Sequence, residues 1–289
     1  MDTVKIGIIG TGWIAEKMAI TLEGMEGVEA YAVPSRQLQT ACDFADRWGF
    51  TRAYGSYEEM LDDEEVELVY IATPHSHHFE HARMSLLKGK AVLCEKAFTA
   101  NARQAEELLN LAKEKELFIT EAIWTRYMPL SHTINDLVTS GIIGRPMTLS
   151  ANLGYPIGNR ERLRHPALAG GALLDLGVYA LNFASMVFGT EVERVTSTCV
   201  KTDTGVDAQN SITLTFKDGK IAVLHSSMLS MTDRQGIISG DKGHLIIENI
   251  NNPQRIRVVT EDYKTAVVYN CPPQITGYEY QVYASMEAL

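Results

Sequence analysis

Apolar runs alternate with helix-patterned segments through the first 120 residues. Five runs have the length of strands: Val4 to Ile9, Val28 to Val33, Leu68 to Ala72, Ala91 to Cys94 and Leu117 to Thr120. Four segments between them have helical patterning: Trp13 to Gly24, Gln37 to Trp48, His77 to Lys88 and Ala102 to Glu116. Strands that are apolar throughout and separated by helices are typical of a parallel sheet covered on both faces. We therefore predict an α/β, doubly wound first domain over residues 1–122.

A glycine-rich loop directly follows the first of these strands. It reads Gly10, Thr11, Gly12, Trp13 and Ile14, and an amphipathic stretch comes next. Glycines let the main chain approach a pyrophosphate, and the N-terminus of the next helix offers free N–H groups. The position of the loop predicts a Rossmann domain in which these five residues bind a dinucleotide. A plain tight turn is the alternative.

After residue 146 the chain reads as successive strands with short turns. The strands are Met147 to Leu153, Val192 to Val200, Asp207 to Phe216, Lys220 to Ser227, Gly236 to Ser239, His244 to Glu248, Arg255 to Val259 and Ala266 to Tyr269. One segment, Gly170 to Phe188, has a helical pattern. We predict an α+β second domain over residues 123–289 with an open, mostly antiparallel sheet. The sequence stops in apparent mid-helix at Leu289, and we expect that a C-terminal piece is absent.

Composition narrows the class of protein. The chain has 289 residues, 45% of them hydrophobic and 21% charged, as in ordinary soluble globular proteins. A formal net charge of −10 argues against a nucleic-acid surface. We see no apolar stretch near the roughly 18 residues of a membrane span and no secretory signal. Without a span or a signal, a cytoplasmic location is the default expectation. The four cysteines form no paired motif, so we expect no disulfide framework and no metal site built on cysteine.

The end of the second strand bears on which nicotinamide cofactor binds. A Rossmann domain that prefers NAD usually has an acidic residue there for the ribose 2′-hydroxyl. This chain has Ser35 and Arg36 instead, and a guanidinium suits a 2′-phosphate. We therefore predict NADP, with NAD possible, and Ser35 and Arg36 as cofactor ligands. The alternative is that Arg36 only decorates the first turn of the next helix.

Four ordered motifs carry a resemblance to a known family. They are the glycine loop, the segment from Ala72 to His78, Glu95-Lys96, and the segment from Gly170 to Tyr179. With them the chain resembles the Gfo/Idh/MocA oxidoreductases, and the segment from Glu121 to Pro129 is most similar to the dimeric dihydrodiol dehydrogenase and glucose-fructose oxidoreductase branch. The resemblance implies hydride transfer with NAD(P), a substrate pocket on the second domain and a homodimer or homotetramer.

Three residues are candidates for the chemistry at a secondary alcohol or ketone. Tyr179 offers a phenol as acid/base, and Lys96 offers an ammonium that would favour its phenolate or bind the reacting oxygen directly. Asp175 lies four residues before Tyr179, so on an α-helix the two share one face. The alternatives are a solvated Lys96, an early-turn Asp175 that complements the helix dipole, and a core Tyr179.

The remaining candidates flank these residues. In the family the loop after the fourth strand borders the cofactor, so Thr73, Pro74, His75 and His78 are predicted cofactor residues, together with Glu95 and Lys96. We predict no metal at the histidines, because their spacing supplies no further ligands. Trp124 and Arg126 are predicted to contact cofactor or substrate, with a packed tryptophan as the alternative; the predicted substrate residues are Lys96, Trp124, Tyr155, Asp175 and Tyr179.

Two further features leave alternatives open. Ala97 follows Lys96 where the family usually has proline, so Lys96 could point differently if the backbone there is cis. Arg160, Arg162, Arg164 and His165 form a basic loop that is either solvated or reaches an anionic substrate. The leading hypothesis is an NADP-preferring oxidoreductase acting on a carbohydrate, polyol or cyclic diol. A catalytically inactive nucleotide-binding protein of the same fold is the rival.

Overall fold

The chain divides into two compact units. The computed structural model describes residues 3–289. The first unit contains the described residues up to Ala122 together with Gln274–Leu289, and the second unit is Ile123–Pro273.

The first unit contains a parallel sheet. Its six strands in the described residues are β1 (Val4–Ile9), β2 (Val28–Pro34), β3 (Arg52–Tyr54), β4 (Leu68–Ile71), β5 (Ala91–Glu95) and β6 (Ile119–Ala122). They run in the order β3-β2-β1-β4-β5-β6, and every neighbouring pair is parallel. The strand order reverses between β1 and β4. Doubly wound folds bind their ligands in the crevice at such a point, beyond the carboxyl ends of the strands.

Helices cover both faces of this sheet. They are α1 (Trp13–Glu23), α2 (Leu38–Trp48), α3 (Tyr57–Leu61), α4 (His75–Leu87) and α5 (Ala102–Glu114). Alternate residues of a strand point to opposite faces, and β1 accordingly gives Ile8 to one apolar cluster and Ile9 to the other. The predicted doubly wound sheet is confirmed. The prediction missed the short edge strand β3 and helix α3, which have three and five residues.

The second unit contains a mixed sheet. Its eight strands in the described residues are β7 (Pro146–Gly154), β8 (Val192–Lys201), β9 (Asp207–Phe216), β10 (Ile221–Ser227), β11 (Gly236–Gly240), β12 (Gly243–Glu248), β13 (Arg255–Thr260) and β14 (Thr265–Asn270). Their order is β14-β13-β12-β11-β7-β10-β9-β8. Strands β7 and β10 pair in parallel and the other neighbours pair antiparallel, so the predicted open, mostly antiparallel sheet is confirmed.

One face of this sheet is covered by helix. The helices of the second unit are α6 (Pro129–Thr139), α7 (Glu161–Arg164) and α8 (Val178–Phe188), with 3₁₀ turns at Trp124–Tyr127 and Pro166–Leu168 and a π-helical segment at Leu173–Gly177. Helix α8 packs on β7 and β10. Its buried Phe188 meets Phe216 of β9 edge to face, with ring centroids 5.4 Å apart. The sequence analysis did not predict α6.

The helical segment Pro166–Phe188 changes one expectation. Among the described residues it is long and apolar enough, by length and composition alone, to cross a membrane. The statement that no stretch approaches this length is therefore wrong. Just over half of its most apolar part is buried inside the structure, as in the core helix of a packed domain.

The last helix, α9 (Glu279–Ala288), belongs to the first unit and not to the second. The assignment of residues 123–289 to one domain is corrected here, and the reason is apolar burial. Val282 lies in the core of the first unit, and Tyr278 and Met286 pack against that core. The carboxylate of Glu279 accepts backbone N–H bonds from Ile275, Thr276 and Gly277, which fixes the start of the helix.

Candidate active site

The glycine loop lies where the strand order of the first unit reverses. Gly10 has φ +126°, and a Cβ there would lie 2.7 Å from the carbonyl oxygen of Ala72, so only glycine fits. Gly12 precedes the first residue of α1, and no heavy atom of the described chain lies within 4 Å of where its Cβ would be. The loop therefore leaves open space at a helix N-terminus, which is the arrangement that a pyrophosphate needs.

Trp13 and Ile14 begin α1 beside this open space, and Thr11 completes the loop. The side chain of Trp13 is 63% exposed, which is unusual for tryptophan. The ammonium of Lys17 lies 5.8 Å from the centre of its ring. Binding of a dinucleotide by the five loop residues stays a prediction.

The end of β2 carries the two residues that were predicted to select the cofactor. The N–H of Ser35 donates to the carbonyl oxygen of Tyr54, which holds the turn beside β3. Arg36 is exposed and precedes α2. Both follow the second strand at the sheet edge where Rossmann folds bind the adenosine ribose.

His78 joins the loops that follow β4 and β5. It is fully buried, and its Nε2 and Nδ1 lie 2.8 Å from the carbonyl oxygens of Thr73 and Ala97 respectively. Burial lowers the pKa of His78, the two carbonyl contacts oppose that shift, and the charge of Lys96 adds to it. A buried ring between these two carbonyl oxygens ties the loop after β4 to the backbone directly after Lys96.

The other histidines of this segment stand on the first turns of α4. His75 is its first residue and is buried, directly after Pro74. The Nδ1 of His81 lies 3.1 Å from the hydroxyl of Thr73, and burial lowers the pKa of His81 to about 4. Among residues 3–289 there is no group of three or more His, Cys, Asp or Glu side chains that could hold a metal ion.

Lys96 follows the last residue of β5, Glu95. The buried carboxylate of Glu95 accepts a bond from the hydroxyl of Tyr70 and another, of 3.1 Å, from the N–H of Lys96. Burial raises the pKa of Glu95 to about 7, and the charge of Glu121 adds to the rise, whereas Tyr70 and Lys96 oppose it. The peptide bond between Lys96 and Ala97 is cis.

In the second unit, Asp175 and Tyr179 lie on a helix that changes its winding between them. Asp175 belongs to the π-helical segment Leu173–Gly177, and Tyr179 lies in the first turn of α8. The α-helical spacing that the sequence analysis assumed for this pair is therefore wrong. A π-helix bonds residue i to residue i+5, and such turns are frequent at functional sites.

Both side chains are buried and have defined partners. Asp175 is 4% exposed, and its Oδ1 accepts bonds from Nη1 and Nη2 of Arg162, both of 3.2 Å. Tyr179 is 7% exposed, and the indole N–H of Trp124 donates to its hydroxyl over 3.0 Å. An N–H donated to a phenolic oxygen favours the phenolate, so Trp124 suits a tyrosine that acts as a base.

A further glycine, Gly171, shapes the start of this helix. A Cβ on Gly171, where φ is +115°, would lie 2.1 Å from Oδ1 of Asp207. The other oxygen of that carboxylate accepts the N–H of Leu173 over 2.7 Å. Asp207 of β9 therefore binds the N-terminal turn directly, and the sequence analysis missed this residue because thirty-four positions separate it from Leu173.

The other predicted ligands of the second unit have partners within it. Arg126 donates from Nε to Oδ1 of Asn182 and from Nη2 to the hydroxyl of Ser185, each over 2.9 Å, which ties the 3₁₀ turn to α8. The hydroxyl of Tyr155 accepts a bond of 3.1 Å from Arg234. Trp124 is 6% exposed. Roles for these residues in binding cofactor or substrate stay predictions.

The comparisons with known proteins agree with this architecture. Residues 4–122 match the family model of Gfo/Idh/MocA oxidoreductases with an NAD-binding Rossmann fold, and residues 131–246 match the model of a Gfo/Idh/MocA C-terminal domain. Trans-1,2-dihydrobenzene-1,2-diol dehydrogenase of Mus musculus is 34% identical over 280 residues, which are 96% of this chain and 82% of the mouse protein.

Two further relatives are similar over most of their length. The D-xylose 1-dehydrogenase (NADP(+)) of Hypocrea jecorina is 34% identical over 93% of this chain and 78% of its own. A crystal structure of KijD10, a 3-ketoreductase from Actinomadura kijaniata in complex with NADP and TDP-benzene, superimposes with a TM-score of 0.89 at 26% identity, over 99% of this chain and 89% of that one. The chain therefore belongs to the Gfo/Idh/MocA family of NAD(P)-dependent oxidoreductases.

Proposed function

We propose that this protein transfers a hydride between NADP and a secondary alcohol or ketone of a sugar, polyol or cyclic diol. The observation that carries the proposal is the glycine loop at the reversal of the strand order, where Gly10 leaves no room for a side chain and Gly12 leaves space for a phosphate. The relatives supply the substrate class, because they are named for a diol, for D-xylose and for a 3-keto group.

The cofactor would lie along the carboxyl edge of the parallel sheet. Gly10 to Ile14 would hold its pyrophosphate, and Ser35 and Arg36 its 2′-phosphate. Thr73, Pro74, His75 and His78 would border its nicotinamide ribose. The bound nicotinamide supplies the hydride acceptor for alcohol oxidation or the donor for ketone reduction.

We assign the proton chemistry to three side chains. In oxidation Tyr179, supported by the indole N–H of Trp124, takes the proton from the alcohol oxygen, and in reduction it returns the proton. The ammonium of Lys96 stabilises negative charge on that oxygen. The carboxylate of Asp175 accepts bonds from neighbouring hydroxyls of the substrate and orients them.

The preference for NADP has its own test. An Arg36→Ala variant removes the guanidinium proposed for the 2′-phosphate, so kcat/KM with NADP should fall while kcat/KM with NAD changes little. A wild-type protein that prefers NAD, or a variant that loses both cofactors equally, would contradict the assignment.

We also propose a homodimer or homotetramer in the cytoplasm. The face of the mixed sheet opposite α8 supports an oligomer, because Ile221 and Val223 of β10 are 39% and 48% exposed there. The register places Val223 between Thr213 of β9 and Ser150 of β7 on that face. The four cysteines are free, which fits a reducing compartment.

The direct test of the function is turnover by the purified protein. We expect nicotinamide absorbance to change with NADP and D-xylose, or with NADP and a trans-1,2-dihydrodiol, and a Tyr179→Phe variant to abolish most of that change. Calorimetry should detect binding of NADP by both proteins. Binding without turnover across a panel of sugars, polyols and diols would favour the inactive nucleotide-binding protein instead.

A further inference from the structure

Two arginines of one short segment each pair with an aspartate, but in different surroundings. Arg164 binds both carboxylate oxygens of Asp203 over 2.7 Å, and the side chain of Asp203 is 71% exposed. Arg162 binds Asp175, whose side chain is only 6% exposed. Exposed ion pairs contribute little to stability, whereas a buried carboxylate depends on its partner for solvation. The two pairs are therefore a matched set that differs in the burial of the acid.

The backbone around Arg162 is built to hold it near Asp175. The N–H of Gly171 donates to the carbonyl oxygen of Leu163 over 3.0 Å. A Cβ on Gly170 would lie 2.4 Å from that same oxygen, so a glycine is needed for the loop to close there. Arg162 is thus anchored beside the chain that enters the π-helical segment, and thirteen positions separate it from Asp175.

Both terminal nitrogens of Arg162 bind a single oxygen, Oδ1 of Asp175. The guanidinium is always charged, and its planar fork fixes the direction of the carboxylate as well as its charge. The side chain of Arg162 is 41% exposed, so its own charge stays partly hydrated while it stabilises a buried anion. Among the described groups of the second unit, Asp207 also binds this helical segment, at the N–H of Leu173.

We propose that Arg162 is a positioning residue, which holds Asp175 ionised and oriented so that the carboxylate only accepts hydrogen bonds. The proposal rests on the function proposed above and adds a residue that acts through Asp175. A protonated Asp175 would donate where a substrate hydroxyl must donate, and a rotated carboxylate would no longer meet that hydroxyl. In either case the reacting carbon would be misplaced. At Arg162 the basic loop then neither faces solvent alone nor receives an anionic substrate, because the guanidinium binds Asp175.

The test compares Arg162→Ala with Arg164→Ala, which removes the same charge from the same loop. For Arg162→Ala we expect kcat/KM to fall on the order of 10²-fold, as for a misplaced reacting group, with NADP binding retained. Removal of the positive charge disfavours the carboxylate, so the acid limb of the kcat/KM profile should move to higher pH. For Arg164→Ala we expect activity and profile close to those of the wild type.

Two further measurements separate positioning from a general structural role. Added guanidinium, well below denaturing concentrations, should restore part of the activity of Arg162→Ala and none in Arg164→Ala, because the lost side chain leaves a solvent-accessible gap. Arg162→Lys should retain the charge but only part of the activity, since an ammonium is not a planar fork. Equal losses in both alanine variants, or a variant that guanidinium does not rescue and whose pH profile is unchanged, would overturn the proposal.

Failure of the proposed function gives a different result. If the wild type binds NADP but turns over no sugar, polyol or diol, the function is wrong while the role of Arg162 can still be measured. Carbon-13 NMR of labelled aspartates, assigned with Asp175→Asn, follows the carboxylate directly. Titration of Asp175 at higher pH in Arg162→Ala than in Arg164→Ala supports the proposal, and identical titration in both refutes it.

Discussion

The first unit places its candidate residues through the backbone, whereas the second unit places them through pairs of side chains. In the first, Gly10 lies against the carbonyl oxygen of Ala72, and His78 lies between two carbonyl oxygens. In the second, Trp124 binds Tyr179 and Arg162 binds Asp175. A contact with a backbone carbonyl depends on the sheet topology and persists when the side chain of that residue is substituted. A side-chain pair, in contrast, is lost when either partner is substituted.

The largest expected effect tests the backbone contacts by which the first unit places its candidate residues. Gly10→Ala should abolish NADP binding, because its Cβ would lie 2.7 Å from the oxygen of Ala72 and φ is +126°. Gly49→Ala is the control: φ is +72° there, but no atom of the described chain lies within 4 Å of the new Cβ. We expect Gly49→Ala to lower the free energy of unfolding by about 1 to 2 kcal/mol and to keep NADP binding.

Calorimetry with NADP and thermal unfolding measure both variants. If Gly10→Ala bound NADP as the wild type does, the loop would not be the phosphate site. If Gly49→Ala also lost NADP binding, backbone strain elsewhere in the first unit would be enough to abolish binding. The loss in Gly10→Ala would then not identify the glycine loop as the phosphate site.

The same difference explains what the sequence could predict. The strands of the first unit and its glycine loop follow from apolar runs and their order, because a parallel sheet brings all its carboxyl ends to one edge. The partners of the second unit do not, since Trp124 and Tyr179 lie fifty-five positions apart and no spacing rule joins them.

Local patterns also failed where tertiary contacts decide the structure. Asp175 and Tyr179 have the spacing of an α-helix, yet the helix winds as π through residues 173–177. Asp207 holds the N-terminus of that segment from a distant strand. Helix α9 was assigned to the second domain by its position in the sequence, but its Val282 is buried in the core of the first unit and Met286 packs against that core.

The next largest effect tests the side-chain pairs. Tyr179→Phe removes the proposed acid/base and should lower kcat by about 10²- to 10⁴-fold with little change in NADP binding. Trp124→Phe keeps an aromatic ring but removes the N–H that binds the phenolic oxygen. Because that bond favours the phenolate, the acid limb of the kcat profile for alcohol oxidation, in which Tyr179 acts as the base, should move to higher pH.

Steady-state kinetics over a pH series check both variants, with NADP affinity as the control. A Tyr179→Phe protein with wild-type kcat would remove tyrosine from the mechanism. A Trp124→Phe protein with an unshifted pH profile would make Trp124 only a packing residue.

A smaller effect concerns the buried acid of the first unit. The pKa of Glu95 is raised to about 7, so between pH 4.5 and 7 the folded protein holds a proton that the unfolded chain has released. Its contribution therefore makes the free energy of unfolding fall as the pH rises through this range. His78 and His81 have lowered pKa values and act in the opposite direction. As the pH falls, these two residues are protonated in the unfolded chain before they are protonated in the folded protein.

Glu95→Gln removes the contribution of the buried carboxyl group to the pH dependence of stability and keeps that of the two histidines. The free energy of unfolding of this variant should rise with pH more steeply than that of the wild type, by about 1 to 3 kcal/mol between pH 4.5 and 7. Denaturant titrations at several pH values measure the slope. Glu193→Gln, an exposed change on β8, is the matched control and should leave the slope unchanged. Parallel slopes for wild type and Glu95→Gln would show that Glu95 titrates normally.

The smallest expected effect on the folded chain concerns the open face of the mixed sheet. Val223→Lys places a charge on that face between Thr213 and Ser150, where the proposed second copy would bind. Val195 of β8 is 59% exposed but pairs with the buried Leu214, so its side chain points to the opposite face, and Val195→Lys is the control. Both substitutions are at the surface and should change the free energy of unfolding of a monomer by no more than about 0.5 kcal/mol.

Light scattering after size-exclusion chromatography separates the two variants. Because a lysine on an apolar contact face must be desolvated without a partner, Val223→Lys should dissociate the oligomer while Val195→Lys should not. A face that binds a second copy exposes apolar side chains in the free monomer, as the open face of the mixed sheet does with Ile221 and Val223. If Val223→Lys stays oligomeric while Val195→Lys dissociates, the interface lies on the edge strand β8 and the open face is merely solvated.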